Sequence, residues 1–188
     1  MSRDFTVKDE TTIMPSVIEI DLFHYAVHAK LAFTMDVEGD IDSGGISIGF
    51  RTGSAAKYIH LLYKAYATAE AHFDLYIGGN MTIAGGTDIA PINRNQIPPL
   101  TDSTMEGFAT ASWVANRVTL NPTVTPGTAT QLRHFHFGEG RKIGGGESAA
   151  WEFVLPAETI CAIMVTDEAS DTNLANLLLS WFEVPPAA

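Results

Sequence analysis

Apolar residues occupy every second position over much of the chain. Ile18, Ile20 and Leu22 alternate with other residues between positions 17 and 23, and Ile46 and Ile48 do the same after a glycine-rich turn. A period of two residues is typical of half-buried β-strands. The same pattern, interrupted by Gly, Pro and Asn, predicts further strands at residues 28–36, 72–77, 107–120, 130–137, 151–155, 159–166 and 174–184.

Two segments allow both a helical and an extended interpretation. Residues 57–71 contain good helix formers, yet Ile59 and Leu61 also fall on one face of a strand. Their aromatic and β-branched content favours a strand, and we expect a hairpin with residues 72–77 that turns near residues 68–70. Residues 174–181, LANLLLSW, are also compatible with a helix, but the β-rich context favours a terminal strand.

These segments add up to about nine or ten strands and therefore predict an all-β protein. Their frequent turns favour an antiparallel β-sandwich with a jelly-roll-like arrangement. Residues 1–16 are polar and predict an extended N-terminal arm, whereas residues 17–188 predict a single domain. Residues 81–99, rich in Gly, Asn and Pro, predict a long loop.

Composition excludes several classes of function. The 188 residues are 46% hydrophobic and only 18% charged, and 22 acidic against 11 basic side chains leave a net charge of −11. Nucleic-acid binding needs basic surface, so we expect no nucleic-acid partner. The N-terminus lacks the pattern of a signal peptide, and no stretch approaches the roughly 18 apolar residues of a membrane span, so we expect no membrane association. The single Cys161 lies in an apolar run and predicts a core residue in a reducing compartment.

Two short motifs resemble catalytic or anion-binding sequences. Residues 45–49, GISIG, match the GxSxG expression, but Ser47 lies within an alternating strand that no helix follows, so we expect no catalytic residue there. Residues 138–146, GEGRKIGGG, miss the spacing of dinucleotide and phosphate-binding loops, so we expect no cofactor. Arg141 and Lys142 suit an anion beside backbone amides, although a wide hairpin loop is the simpler interpretation.

Two groups of residues are candidate metal ligands. His134 and His136 flank Phe135 and therefore project from the same face of a strand as a transition-metal pair, although two ligands alone do not make a site. Four carboxylates recur at every second position around Gly39 and suit calcium, but their order does not match an EF-hand, and a solvated acidic turn is the simpler interpretation. These calcium candidates are Asp36, Glu38, Asp40 and Asp42.

Three stretches resemble a recurrent small virion protein of tailed bacteriophages. The first is the strand AHFDLYIGG with the link into GGTDIAPINRNQ, and the second is NPTVTPGTATQLRHFHFGEGRKIGGG. The third is WEFVLPAETICAIMVTDEASDTNLANLLLSWFEV. The resemblance covers roughly residues 45–184 and carries no catalytic motif. It implies a β-sandwich that decorates or cements the capsid as a homo-oligomer, either a trimer or a dimer.

From this resemblance we expect the phage major capsid protein as partner, a location on the capsid exterior, and assembly in the host cytoplasm. Low charge density suits extensive subunit contact, because interface cores are depleted of charge. We expect contacts at residues 1–16 and 85–99, with Arg94, Arg141 and Lys142 as candidates for contact with an acidic shell. The alternative is a receptor- or glycan-binding module of the head-fibre or tail-fibre type, suggested by the aromatic β-surface and the acidic segment.

Overall fold

A computed structural model of the chain describes residues 4–7, 16–19, 22–42, 44–53, 57–109, 111–137, 145–148, 153–168 and 172–184. Nearly all of this secondary structure is β, with one short helix, α1 (Leu22–His28). The strands in chain order are β1 (Asp4–Val7), β2 (Ser16–Glu19), β3 (Ala32–Asp40), β4 (Gly45–Arg51), β5 (Tyr58–Ala67), β6 (Ala71–Ile77), β7 (Thr82–Ala84), β8 (Thr87–Ile89), β9 (Ile92–Asn93), β10 (Glu106–Gly107), β11 (Val114–Ala115), β12 (Val118–Leu120), β13 (Thr123–Thr125), β14 (Thr130–Phe137), β15 (Gly145–Ser148), β16 (Phe153–Leu155), β17 (Ile160–Asp167) and β18 (Leu174–Val184).

Two antiparallel sheets face each other, which confirms the predicted all-β sandwich. The eight-stranded sheet has the order β11-β10-β4-β17-β6-β14, with β12 beside β4 and β8 beside β12. The six-stranded sheet has the order β15-β5-β18-β3-β9, with β16 beside β5. Strands β7 and β13 form a separate pair, and so do β1 and β2 in the region of the predicted arm. The predicted boundary after residue 16 stays a prediction.

The core lies between the two sheets and is filled by alternate residues of their strands. Tyr63 of β5 stacks on Phe73 of β6 with ring centroids 4.5 Å apart, and Trp181 of β18 is fully buried beside Phe33. Cys161 is also fully buried in this core, as predicted, and burial raises the pKa of its thiol well above the ordinary range. Along β3, β5 and β18, buried residues alternate with more exposed ones, so the period of two identifies the inner face of these strands.

The segment 57–67 is a strand, but the predicted hairpin with the next strand is wrong. Strand β5 pairs with β18, β15 and β16, whereas β6 pairs with β14 and β17 in the opposite sheet. Both strands carry a fully apolar inner face, and facing sheets bury these faces against each other. The turn at residues 68–70 therefore carries the chain across the core. Asn173 holds it there by accepting from the Ala69 amide at 2.9 Å and donating to the Glu70 carbonyl at 3.0 Å.

The predicted strand at residues 17–23 is wrong in its second half. Strand β2 ends at Glu19, and α1 starts at Leu22. Ala26 of this helix is buried against Phe182 and Ala32, so tertiary packing favours the helix. The strand predicted at residues 28–36 starts later and runs longer, as β3. No helix in the described ranges is long and apolar enough to cross a membrane.

Two other predictions about strand length need correction. The segment 107–120 is broken into parts of β10, β11 and β12, and Asn116, between β11 and β12, adopts a positive φ of 62° that interrupts the extended backbone. The predicted loop at residues 81–99 contains three short strands, β7, β8 and β9. The strands predicted at residues 130–137 and 174–184 are confirmed to the residue, and the helical alternative for 174–181 is wrong.

Candidate functional site

Strand β14 lies at one end of the eight-stranded sheet and pairs with β6. Its register shifts between Gln131 and Arg133, where a β-bulge adds one residue to β14. Beyond the bulge, His134 lies opposite Asp74 and His136 opposite His72. The bulge brings Gln131 onto the same outer face as the two histidines.

Five side chains meet on this outer face and are called the histidine cluster: His72, Asp74, His134, His136 and Glu168. His134 Nδ1 lies 2.7 Å from Asp74 Oδ1, and His136 Nδ1 lies 2.8 Å from Glu168 Oε2. The two Nε2 atoms of His134 and His136 face each other at 3.1 Å. The sequence prediction that these two histidines share a face is therefore confirmed, and each ring is backed by its own carboxylate.

His72 lies between the two carboxylates. Its Nε2 is 3.4 Å from Asp74 Oδ2, and its Nδ1 is 3.2 Å from Glu168 Oε1, in a direction that forms no hydrogen bond. Partial burial alone would raise the pKa of the Glu168 carboxyl, but His136 and His72 outweigh it and lower that pKa below its ordinary range. Glu168 is therefore ionised at neutral pH, with its Oε2 in hydrogen-bond contact with His136 and its Oε1 near His72.

The sequence pattern did not predict which side chains contact His134 and His136. His72 and Asp74 alternate with Phe73 and Leu75, which marks them as the outer face of β6. Their distance from residues 134–136 along the chain hid the contact, because only strand pairing brings them together. Within the described part of the chain, no group of three or more His, Cys, Asp or Glu side chains is arranged to hold a metal ion.

A second surface feature is an exposed apolar segment, which we call the apolar loop: residues 89–100. Four large apolar side chains in it are solvent-exposed, with exposed fractions of 37%, 59%, 70% and 55% for Ile89, Ile92, Ile97 and Leu100 respectively. Asn93 holds the loop from beneath by donating to the Lys30 carbonyl at 3.0 Å and the Thr101 carbonyl at 2.8 Å. Its own side-chain oxygen accepts from the Asn95 amide at 2.9 Å. The backbone that carries the exposed apolar side chains is therefore held in place by the hydrogen bonds of Asn93.

The interpretation of the acidic segment as a turn is wrong. Asp36, Glu38 and Asp40 are exposed positions of β3, and the turn follows them. Successive carboxylates on one strand face are spaced by about 6.6 Å along the strand, too far apart to converge on one ion without a bend. Asp36 accepts from Asn176 at 2.7 Å, and Asp42 accepts from the Asn173 amide.

The other residues singled out in the sequence are Ser47, Arg94, Arg141 and Lys142. Ser47 lies inside β4 and donates its hydroxyl to the Pro122 carbonyl at 3.0 Å, so the strand interpretation is confirmed. Arg94 is exposed and belongs to the apolar loop, where its amide donates to the Ala32 carbonyl at 2.9 Å. Arg141 and Lys142 lie outside the described residues.

No protein-family model matches the chain, and no curated protein matches it. Among solved structures, a chain in the structure of infectious bursal disease virus, Gx strain, aligns with 99% of this chain at 10% sequence identity and a TM-score of 0.15. The alignment covers 48% of the viral chain, so this chain spans about half its length. Such a low TM-score carries no argument about fold or function.

Proposed function

We propose that this chain is a non-enzymatic structural protein of a tailed bacteriophage, which decorates and stabilises the capsid through oligomeric contacts with the shell. The observation that carries the proposal is the apolar loop, whose large side chains are exposed on a braced backbone. Four large apolar side chains exposed within twelve residues of one segment supply apolar surface that association with another protein would bury. The phage-like stretches in the sequence support the same class.

The energetics of the apolar loop suit a repeated assembly contact. Full burial of one large aliphatic side chain contributes about 1.5–3 kcal/mol, so four half-exposed ones contribute several kcal/mol per subunit. The hydrogen bonds that the Asn93 side chain donates to two backbone carbonyls order the loop before association, which lowers the entropic cost of binding. A modest binding free energy per subunit is sufficient for a decorating protein, because a closed oligomer presents several apolar loops to one shell.

The test compares an acidic double variant in the apolar loop with an acidic single variant at an exposed apolar position elsewhere. The double variant Ile97→Asp and Leu100→Asp places charge in the apolar loop, whereas Val154→Asp places it on β16 of the six-stranded sheet, where Val154 is 54% exposed. We expect the natural chain and the Val154 variant to sediment with shells of the major capsid protein from the same phage. The loop variant should remain in the supernatant while keeping the same circular dichroism spectrum.

Analytical ultracentrifugation of the free protein gives the second measurement, and we expect a trimer or a dimer. A natural chain that is monomeric and never sediments with shells would overturn the proposal. Chelator-sensitive binding to a glycan array would instead favour a receptor-binding module. The exposed Tyr58 and Tyr66 on β5 lie eight residues apart, about 26 Å along the strand, and so form no single platform for a sugar.

A further inference from the structure

One edge of the six-stranded sheet has a strand partner along only part of its length. Strand β3 pairs with β18 from Ala32 to Asp40, but on its other side β9 pairs only with Phe33 and Thr34. Within the described part of the chain, no strand pairs with the side of residues 35–40 that faces away from β18. We call this segment the open edge.

The hydrogen-bond pattern shows which backbone groups point out of the open edge. In an antiparallel ladder, successive residues direct their amide and carbonyl groups alternately to opposite sides of the strand. The Ile41 amide, one residue beyond β3, donates to the Asn173 carbonyl at 2.9 Å in the register of β3 with β18. Odd-numbered residues of β3 therefore point toward β18, and the backbone groups of Asp36, Glu38 and Asp40 point out of the open edge.

The same three residues carry carboxylates on the outer face of the sheet. All three are exposed, whereas Met35 and Val37 face the core and are buried. The open edge therefore presents amide donors, carbonyl acceptors and negative side chains together, repeated at a spacing of about 6.6 Å.

We propose that the open edge binds an extended segment of a partner protein, with Lys or Arg at every second residue, which adds to the six-stranded sheet as a further antiparallel strand. Strand addition obtains its affinity from main-chain hydrogen bonds and its specificity from alternate side chains. Directly opposite residues of an antiparallel pair project from the same face about 5 Å apart, so basic side chains opposite the three carboxylates form ion pairs with them. The residues between them lie on the same face as Met35 and Val37 and should be apolar.

The charge of the open edge disfavours a second copy of the same edge as the occupant. Antiparallel pairing of two open edges places residues 36, 38 and 40 of one copy opposite acidic residues of the other, and like charges opposite each other are destabilising. Charged side chains on exposed strands commonly prevent such self-pairing. A basic segment converts the same charges into attraction. The inference is independent of the proposed capsid function, because it uses the backbone of β3 and not the apolar loop.

The experiment is an NMR titration of the full ¹⁵N-labelled chain with the peptide acetyl-TKVKVKT-amide, which has three lysines at alternate positions. We expect the backbone amides of Asp36, Glu38 and Asp40 to shift and to become protected from hydrogen exchange. The amides of Met35 and Val37 already point to β18, so their protection should stay unchanged. This alternation separates strand addition from a general attraction between opposite charges.

Two methylated peptides of the same charge test the backbone pairing. Methylation of the three lysine amide nitrogens removes the donors that face β3 and should weaken binding at least roughly tenfold. Methylation of the two valine amide nitrogens, which face away from β3, should change the affinity by less than about threefold.

A pair of charge reversals in the protein tests the ion pairs. Glu38→Lys replaces attraction by repulsion at one of the three positions and should weaken binding of the lysine peptide by roughly fivefold to tenfold. Glu158→Lys makes the same change in net charge at an exposed residue in the turn between β16 and β17, and should leave the affinity within about twofold.

Three results would overturn the proposal: no amide shifts at the open edge, equal binding of the peptide with methylated lysine amides, or equal binding of the glutamate peptide acetyl-TEVEVET-amide. The double variant Ile97→Asp and Leu100→Asp should bind the lysine peptide as the natural chain does. Failure of this inference and failure of the proposed capsid function are therefore distinguishable, because the two are measured on different variants and with different partners.

Discussion

Removal of the buried carboxylate of Glu183 should destabilise the sandwich strongly. Glu183 lies near the end of β18 and is fully buried. Its Oε1 accepts from the Ser103 hydroxyl at 2.7 Å and from the Thr104 amide at 2.9 Å. Trp181 Nε1 lies 3.4 Å from the same oxygen, and Lys57 Nζ lies 3.6 Å from Oε2. This single side chain ties the segment after the apolar loop to the core.

The magnitude follows from the donors that Glu183→Ala leaves without an acceptor. A buried donor without a partner costs about 1–3 kcal/mol, and Ser103 and Thr104 are two such donors. The long Trp181 contact adds little, and the partly exposed Lys57 reaches water. We therefore expect the free energy of unfolding to fall by about 3–5 kcal/mol, which lies within the summed cost of the two donors. Glu183→Gln keeps one accepting oxygen and should cost about 1–2 kcal/mol.

Urea denaturation followed by circular dichroism measures these changes. A loss of 3–5 kcal/mol corresponds to a fall in Tm of roughly 6–20 °C for a chain of this size. Glu38→Ala, at an exposed position of β3, is the matched control and should stay within about 0.5 kcal/mol of the natural chain. A Glu183→Ala variant that loses less than about 1 kcal/mol with an unchanged m-value would refute the reasoning.

Three further perturbations test the packing of the sandwich. Asn173→Ala removes four side-chain hydrogen bonds at the crossing turn and should lower the free energy of unfolding by about 2–4 kcal/mol. The control Asn176→Ala loses one contact on an outer face and should cost below about 1 kcal/mol. Equal losses in the two variants would contradict the assigned role of Asn173. Gly45→Ala places a Cβ 2.5 Å from a backbone oxygen of β17 and should lower the free energy of unfolding by about 1–3 kcal/mol. In the neighbouring control Gly44→Ala, the new Cβ meets open space. Equal denaturation midpoints for the two variants would count against this packing. The thiol of Cys161 should resist Ellman's reagent at pH 8 until the protein unfolds, because burial raises its pKa. Since the unfolded thiol ionises near pH 8.5 and the native one does not, stability should fall as the pH rises past about 9, and rapid labelling of the native chain would show that Cys161 is not in the core.

Part of the histidine cluster was predictable from the sequence and part was not. The spacing of His134 and His136 places both rings on one face, because side chains alternate along any strand. Asp74 and Glu168 could not be assigned to them, since strand alternation says nothing about which strands pair. The alternation of apolar and polar residues also does not reveal the bulge beside Gln131. Without this bulge, the Gln131 side chain would lie on the opposite face from the two histidines.

The crossing turn at residues 68–70 shows the same limit. Two apolar-faced strands joined by a short turn predict a hairpin, because consecutive strands usually pair with each other. Here Tyr63 and Phe73 instead stack across the core, and the buried Asn173 supplies the hydrogen bonds that the crossing turn requires. Asn173 lies about 100 residues further along the chain, so no local pattern identifies it.

By itself, the sequence determined the all-β class, the inner faces of β5 and β18, and the ends of the strands at residues 130–137 and 174–184. It did so because burial acts on each residue locally and leaves a period of two in the chain. Only the tertiary structure decided the sheet order, the helix at Leu22–His28 and the partners of the buried Asn173 and Glu183. These depend on pairing between distant segments, where the free energy comes from contacts that exist only after both sheets have formed.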